Sequence, residues 1–247
     1  RNDAAQTRVH DVTTAEASLT LRYAPGESFV NSKQRRIPVS LDAPIFTLTH
    51  AMGFKGVLGG EYSFNRTEAS VWKRFWLPSS WGKIDCSIKA GAEWNTVPFP
   101  LLILPEANLS YITQRETFNL INNMEFLNDR FASVSLSYDM NGKLFNRIPL
   151  IKNLKWREMF RVRALWGTLT DKNNPFKSSN PDLFRFPMRD GKFTSFVMDP
   201  KIPYVEASVG IYNIFKLLHI EYVHRFTYRD NPGINKNGVR FMVLMAF

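Results

Sequence analysis

The polar residues of the segment EFLNDRF are the strongest candidate for a functional cluster in this sequence. Asn128 and Asp129 favour a turn, and in that interpretation Arg130 simply opens the following strand. In the alternative interpretation, Glu125, Asp129 and Arg130 form a network of opposite charges inside the protein, which plugs its interior or fixes the register of its strands. The residues alone leave both interpretations open.

A second group of charged side chains lies in REMFRVRALWG. Arg157, Arg161 and Arg163 share one face of the predicted strand, because side chains two residues apart point the same way. Inside a protein these cations repel one another unless acidic side chains of neighbouring strands face them, or anions bind or pass there. The stripe therefore predicts an interior charge network or an anion path.

Histidine and cysteine give no catalytic or metal-binding pattern. His10 and His50 have no partners at the intervals of metal ligands, and His219 and His224 fall on opposite faces of one strand. Cys86 lies among apolar neighbours in the middle of a predicted strand, where a buried or lipid-facing thiol is expected rather than a nucleophile. We therefore expect no enzyme activity, no bound metal and no cofactor.

The elements that must position these residues are strands. Eight segments alternate apolar and polar side chains with a period of two, which predicts strands with one apolar and one polar face. No helical period longer than a turn or two accompanies them. The segments are TTAEASLTLRY, IFTLTHAMGF, GKIDCSIKAGAEWN, RFASVSLSYDM, REMFRVRALWG, PYVEASVGIYN, LHIEYVHRFTY and GVRFMVLMAF.

A further segment, EYSFNRTEASVWKRFWL, resembles a strand but is less regular. Its apolar phase shifts from Phe64 to Ala69 and back to Trp72, which predicts a bulge or two short strands. With this segment the chain holds about eight to ten strands, and the predicted fold class is all-β with an antiparallel sheet.

Composition excludes several classes of protein. The chain has 247 residues, a formal net charge of +10 and a mean hydropathy of -0.24. No run approaches the ~20 apolar residues of a transmembrane helix, so a helical membrane protein is excluded. The basic residues are spread along the chain without a nucleic-acid-binding motif, and we therefore expect no nucleic-acid partner.

Two folds fit the strand pattern: a soluble β-sandwich and a transmembrane β-barrel. Strands of about 10–12 residues suit a tilted crossing of a bilayer. The polar faces carry charged and hydroxyl side chains, which suit a wet lumen better than a second core. The apolar faces end in aromatic residues, as the interfacial belts of barrels do, at Tyr23, Trp94, Trp166, Tyr228 and Phe247.

These features favour an antiparallel transmembrane β-barrel that spans residues 1–247, or the C-terminal part of such a barrel. Within it, residues 168–202 form a long interval rich in Pro, Asn, Asp and Ser. Outer-membrane barrels carry long loops on their outer side and short turns on the other. We therefore expect residues 168–202 to be a long extracellular loop.

Three runs carry a resemblance to a known family: GGEYSFNRTEASVWKRFWLPSSWGKIDCSIKAGAEWNTVPFPLLILPEANLSY, NLINNMEFLNDRFASVSLSYDMNGKLFNRIPLIKNLKWREM and PYVEASVGIYNIFKLLHIEYVHRFTYRD. They are similar to the C-terminal barrel of a Bacteroidota outer-membrane family of unknown function, whose members also carry an N-terminal carboxypeptidase-regulatory-like domain. The similarity extends from about Thr13 to Phe247. Its most specific pieces are EFLNDRF, NRIPLIKNLKWRE and the pair PYVEASVGI and IEYVHRFTY.

The resemblance implies a place in the outer membrane of a Gram-negative cell, in contact with lipid and lipopolysaccharide. It also implies that this chain is the C-terminal part of a longer protein. Phe247, at the end of the last strand, resembles the assembly signal read by the barrel-assembly machinery, which is then a partner during biogenesis. The resemblance supplies no active site.

Two functions are compatible with these expectations. The first is a non-catalytic structural or assembly subunit of a larger outer-membrane complex for protein export, insertion or surface display, with other outer-membrane proteins as partners. The alternative is a transport barrel or pore whose Arg and Lys residues pass anionic solutes. Single-channel conductance distinguishes the two.

Overall fold

The structure is a computed structural model of the chain. It describes residues 11–243 except residues 32, 34, 115, 178, 181, 182, 187 and 190. Phe247, the predicted assembly signal, and His10 lie outside the described residues.

Strands are the predominant regular secondary structure of the described chain. One short helix, α1, spans Pro149–Leu154, and single 3₁₀ turns occur at Phe99–Leu101, Phe145–Arg147 and Asp171–Asn173. The strands are β1 (Glu16–Tyr23), β2 (Phe29–Asn31), β3 (Arg36–Pro38), β4 (Ile45–Gly53), β5 (Phe64–Trp76), β6 (Lys83–Glu93), β7 (Arg130–Asp139), β8 (Arg157–Thr168), β9 (Met188–Arg189), β10 (Lys192–Phe193), β11 (Tyr204–Ile214), β12 (Leu218–Arg225) and β13 (Asn237–Val243).

Nine of these strands form one sheet in the order β1-β4-β5-β6-β7-β8-β11-β12-β13. All neighbours in this sheet run antiparallel. Two small hairpins, β2 with β3 and β9 with β10, lie in the connections. The prediction of an all-β, mostly antiparallel sheet is confirmed.

The less regular segment differs from its prediction. β5 is one continuous strand whose register runs without a shift against both β4 and β6. Phe64 and Trp72 point to the same side as Arg66 and Arg74, because they are an even number of residues apart. The expected bulge or break is therefore wrong: aromatic residues on the polar face made the apolar phase look interrupted.

The connections divide between the two ends of the sheet, as the alternating strand directions require. We call the end with residues 54–63, 94–129, 169–203 and 226–236 the loop end. The other end, which we call the turn end, carries residues 24–44, 77–82, 140–156 and 215–217. Residues 168–202, expected as one long loop, lie at the loop end and contain the small hairpin of β9 and β10.

The two faces of the sheet have reversed polarity. On β8, Phe160 and Val162 are exposed, whereas Arg161 and Arg163 are buried. The same alternation occurs on β12, where Ile220 is exposed. The exposed apolar side chains of the sheet face outward, and the charged side chains face the concave, inner side.

The described part of residues 94–129, which connect β6 to β7 and which we call the inner segment, packs on the concave side. Phe118, Ile121 and Phe126 of this segment pack with Leu165 and Tyr204 of the sheet wall into the larger of two buried apolar clusters. A second cluster joins Val97, Leu102 and Leu127 of the segment to Phe64 and Phe186. The apolar core of the described residues thus lies between the inner segment and the sheet.

The two edge strands differ in how their outer edges are covered. Thr113 of the inner segment donates its N–H to the carbonyl of Phe241 on β13 at 2.8 Å, and Phe241 donates its N–H to the carbonyl of Tyr111 at 2.9 Å. The outer edge of β1 has no partner strand in the part of the chain that the structure describes.

In the described part of the chain, every helix is too short or too polar to span a bilayer.

Candidate functional site

A polar cavity of about 740 Å³ lies on the concave side of the sheet, between its wall and the inner segment. Hydroxyl groups of Ser87, Ser133, Ser135 and Ser137 line one wall. Six basic and six acidic side chains also line it, so their formal charges balance. They are Arg66, Arg74, Lys83, Lys89, Arg161 and Arg163, and Glu16, Glu68, Asp85, Glu106, Glu116 and Asp139.

Ion pairs cross the cavity wall from strand to strand. Arg74 on β5 meets Asp85 on β6, its direct neighbour in the ladder, with 2.6 Å between Nε and Oδ1. Lys89 reaches from β6 to Glu106 of the inner segment at 2.9 Å and to Glu116 at 3.3 Å. The cavity therefore holds cations that already have anionic partners.

Arg161 and Glu221 form the first of three buried ion pairs on the inner face of the sheet. Arg161 Nη1 donates to both carboxylate oxygens of Glu221 at 2.9 Å. The hydroxyl of Ser208, which lies on β11 between the two, also donates to Glu221. His219 Nε2 lies 3.4 Å from the same carboxylate. A charge buried this deeply is stable only with several such partners.

Arg163 and Glu206 form the second buried pair and connect the wall to the inner segment. Arg163 Nη1 donates to Glu206 at 3.1 Å, and the hydroxyl of Tyr204 donates to it at 2.9 Å. The backbone N–H groups of Asn119 and Leu120 complete its shell at 2.9–3.1 Å. Glu206 thus holds a turn of the inner segment directly against β11.

Arg225 and Glu125 form the third buried pair. The two side chains share two hydrogen bonds, of 2.6 and 3.0 Å, in the fork geometry that favours Arg over Lys. Arg225 also donates to the carbonyls of Leu120, Thr227 and Tyr228. This one guanidinium therefore fastens the inner segment to β12 and to the connection that follows it.

Asp129 joins the inner segment to the connection after β8. It is fully buried and accepts hydrogen bonds from the backbone N–H and hydroxyl of Thr170 and from Asn173 Nδ2, the last at 3.0 Å. Asn173 in turn accepts from the backbone N–H of Val97 at 2.8 Å. Asp129 is thus an anchor for residues 169–203 at the loop end.

The structure does not bring the six side chains predicted as a charge network together at one place. Glu125, Arg161 and Arg163 lie in three different buried ion pairs, and Asp129 binds the loop end as described. Arg130 is exposed at the first position of β7. Arg157 is exposed near the turn end, where its guanidinium lies 5.9 Å from the centre of the Tyr212 ring.

The acidic partners of the arginines were missed from the sequence. Glu206, Glu221 and the third arginine, Arg225, all lie on the polar faces of predicted strands, so alternation alone could have placed them inside. Their pairing depends on which strands are neighbours: Glu206 stands opposite both Arg163 and Arg225 in the ladders. Strand order is the information that local periodicity lacks.

Tyr228 was expected at the end of an outward apolar face, and this expectation is wrong. Its ring packs edge-on against Phe126, with 5.1 Å between ring centres. Its hydroxyl donates to the carbonyl of Ile202 at 2.6 Å and accepts from the N–H of Asp199 at 3.0 Å. Burial raises the pKa of Tyr228. The chain leaves β12 three residues earlier, and a positive φ of 52° at Tyr228 turns it inward.

Histidine and cysteine are placed as wall residues. His219 faces inward beside Glu221, and His224 faces the other way, with Asn237 as its hydrogen-bond partner at 2.6 Å. His50 bonds Thr67 at 2.9 Å. Cys86 is a free, half-buried thiol. Among the described residues no three His, Cys, Asp or Glu side chains are grouped so as to hold a metal ion.

The arrangement is a nine-stranded antiparallel sheet with paired charged side chains on one face and exposed apolar side chains on the other. Residues 1–176 match the family described as "Family of unknown function (DUF5686) C-terminal domain". The chain belongs to this family. The match ends at residue 176, whereas the resemblance was expected to extend to Phe247. No curated protein matches the chain.

Proposed function

We propose that this chain is a non-catalytic transmembrane β-barrel domain of a Gram-negative outer membrane, or the C-terminal part of such a barrel. In this proposal it acts as a structural or assembly subunit of a larger outer-membrane complex for protein export, insertion or surface display. Lipid and lipopolysaccharide surround the sheet, and residues 168–202 at the loop end face the cell exterior.

The observation that carries the proposal is the reversed polarity of the sheet. Large apolar side chains such as Val162, Val209 and Tyr222 are 46%, 54% and 47% exposed in the middle of strands, whereas Arg163 and Glu206 beside them are almost fully buried. In water this arrangement leaves apolar area exposed to solvent, and the burial of charged side chains costs desolvation free energy. In a bilayer the same outer face is solvated by lipid and the same inner face stays polar.

Aromatic side chains at both ends of the outer face support the same proposal. Trp94 and Trp166 are exposed at the loop end, and Tyr23 and Phe75 are exposed at the turn end. Two such belts, separated by aliphatic side chains, are typical of barrels, in which they lie at the two interfaces of the bilayer.

The free edge of β1 supports a role within a larger assembly. The side chains along Glu16–Tyr23 are all exposed, and β4 is the sole strand partner of β1 among the described residues. Each backbone N–H or C=O group left unpaired in hydrocarbon costs on the order of several kcal/mol in free energy. A membrane-embedded β1 therefore needs a further strand beside it, from the same polypeptide or from a partner.

The alternative function, transport of anionic solutes, receives less support. The cavity charges are balanced, and the arginines expected to attract anions are paired with Glu206 and Glu221. The inner segment packs against the inner face of the sheet, where an open pore would run. We therefore favour the structural role.

Two measurements on the refolded chain test the proposal. Flotation with phospholipid vesicles on a density gradient tests the membrane domain, and we expect the chain to float and to resist extraction at alkaline pH. Recovery at the bottom of the gradient contradicts the barrel. Planar-bilayer recording then separates the two functions: we expect no stable channel, whereas steady anion-selective conductance contradicts the structural role and supports transport.

A further inference from the structure

The turn end combines basic and exposed apolar side chains. Between residues 140 and 157 the chain carries Lys143, Arg147, Lys152, Lys155 and Arg157 and no acidic residue. Of these, all but Lys143 are exposed. The connections at the loop end, like residues 24–44 at the turn end, mix both signs. Their acidic members among the described residues include Glu61, Asp171, Asp199 and Asp230.

Large apolar side chains are exposed among these cations. Leu150 on α1 is 82% exposed, and Phe215, in the tight turn between β11 and β12, is 81% exposed. Leu154 follows Leu150 by one helical turn and shares its side of α1, whereas Lys152 lies on another side and Lys155 follows the helix as its C-cap. Exposed apolar side chains next to cations, rather than singly scattered, indicate an interaction surface.

The two connections form one surface. Asn213 Nδ2, at the end of β11, donates to the carbonyl of Lys155 at 2.7 Å. Lys143 connects this surface to the turn between β5 and β6. It donates to the carbonyl of Ser79 at 2.9 Å and lies 5.0 Å from the centre of the Trp81 ring. We call residues 143–155 together with residues 215–217 the turn-end surface.

We propose that the turn-end surface binds the anionic headgroups of phospholipids, with Leu150 and Phe215 inserted at the boundary between headgroups and acyl chains. The inference rests on the proposed function, because it takes the outer face of the sheet to be in lipid. The occupant is chosen by charge complementarity and by position. Phe75 and Trp76, at the end of β5, are exposed at this same end, where the headgroup layer begins.

The size of the effect follows from general magnitudes. A Lys or Arg near an anionic surface contributes about 1 kcal/mol, which is about a fivefold change in binding. Removal of three such charges therefore weakens binding to anionic lipid by about a hundredfold at low salt. The effect falls as ionic strength rises, because surface charges are screened over ~10 Å at 0.1 M salt.

The test uses an environment-sensitive fluorophore in the reconstituted chain. Leu150→Cys in a Cys86→Ser background places a nitrobenzoxadiazole label on the turn-end surface, and Leu58→Cys places it on a loop-end turn, where Leu58 is 92% exposed. Each is reconstituted into phosphatidylcholine vesicles with rising fractions of phosphatidylglycerol. We expect the emission at position 150 to rise and shift to the blue with phosphatidylglycerol, reversibly with salt, and the emission at position 58 to respond less.

A matched pair of charge variants completes the test. The triple variant Arg147→Gln, Lys152→Gln and Lys155→Gln should bind phosphatidylglycerol about a hundredfold more weakly than the parent chain. Its emission at position 150 should therefore respond much less at each phosphatidylglycerol fraction. The control triple Lys55→Gln, Lys201→Gln and Lys236→Gln removes three exposed charges at the loop end and should behave like the parent chain.

The outcomes separate this inference from the proposed function. A chain that floats with vesicles but shows no response at position 150 overturns the lipid surface and leaves the barrel standing. A chain that floats with neither composition overturns both. A response that depends on protein concentration in pure phosphatidylcholine, with cross-linking through position 150, identifies a second copy as the occupant and also overturns the inference.

Discussion

The outer and inner faces of the same strands are stabilised in different ways. On β8 the outer side chains, Phe160 and Val162, are 39% and 46% exposed. The inner side chains, Arg161 and Arg163, are surrounded by protein and bonded to carboxylates. The outer face depends on its solvent, and the inner face depends on its partners.

This difference explains why the interior tolerates so much charge. Each of the three buried arginine–glutamate pairs carries additional hydrogen bonds, from hydroxyl groups at Glu206 and Glu221 and to backbone carbonyls at Arg225. Buried pairs that lack such bonds cost more in desolvation than they return. The shells of these pairs also join separate parts of the chain, so the ionic network and the packing of the inner segment stabilise each other.

The largest expected effect breaks the inner face. Glu206→Ala leaves Arg163 buried without its carboxylate and removes the acceptor for the N–H groups of Asn119 and Leu120. We expect a loss of about 3–5 kcal/mol in the free energy of unfolding, measured by urea titration of the reconstituted chain. The control Asp171→Ala removes an exposed pair with Lys177 and should cost about 0–1 kcal/mol. Equal losses for the two variants would refute the account of the interior.

The next effect tests the outer face. Val162→Arg introduces a charge in the middle of an outward-facing strand, and Val57→Arg introduces the same charge in a turn at the loop end. The two valines are almost equally exposed, at 46% and 49%. In vesicles we expect Val162→Arg to cost about 2–4 kcal/mol in the free energy of unfolding and Val57→Arg to cost about 0–1 kcal/mol. If the outer face were in water, both variants would unfold like the parent chain.

The smallest effect concerns the contact between the two long connections of the loop end. Tyr228→Phe keeps the ring against Phe126 but removes the hydroxyl that bonds Ile202 and Asp199. We expect a loss of about 1 kcal/mol in the free energy of unfolding. Amide hydrogen exchange should become faster around residues 199–202 and stay unchanged in β12. Faster exchange throughout the sheet would show that Tyr228 supports more than this contact.

The sequence predicts the strands well because alternation is a local signal. It does not predict the inner segment, since residues 94–129 have neither a period of two nor a helical period, and their proline residues obscure the pattern further. The irregular phase of β5 misled for a related reason: Phe64 and Trp72 face the polar interior, where apolar side chains pack against the inner segment or stack with arginine.

The candidate site was predictable in its residue types but not in its pairs. Arg161 and Arg163 were identified as interior cations in need of acidic partners, and alternation alone can place those partners on inner faces. Which carboxylate meets which arginine follows from the strand order, a property of the whole sheet. Glu125 illustrates the limit: its partner, Arg225, lies far along the chain on β12.

The central claim, that the outer face is in lipid, is tested most directly by two adjacent residues of β6. A nitroxide on the native Cys86 reports the outer face, and a nitroxide on Ser87→Cys in a Cys86→Ser background reports the cavity side. In vesicles we predict that the first label is accessible to molecular oxygen and protected from a water-soluble nickel complex, with the reverse order for the second. If the nickel complex reaches the label at Cys86 as readily as the label at position 87, the outer face is in water and the account is contradicted.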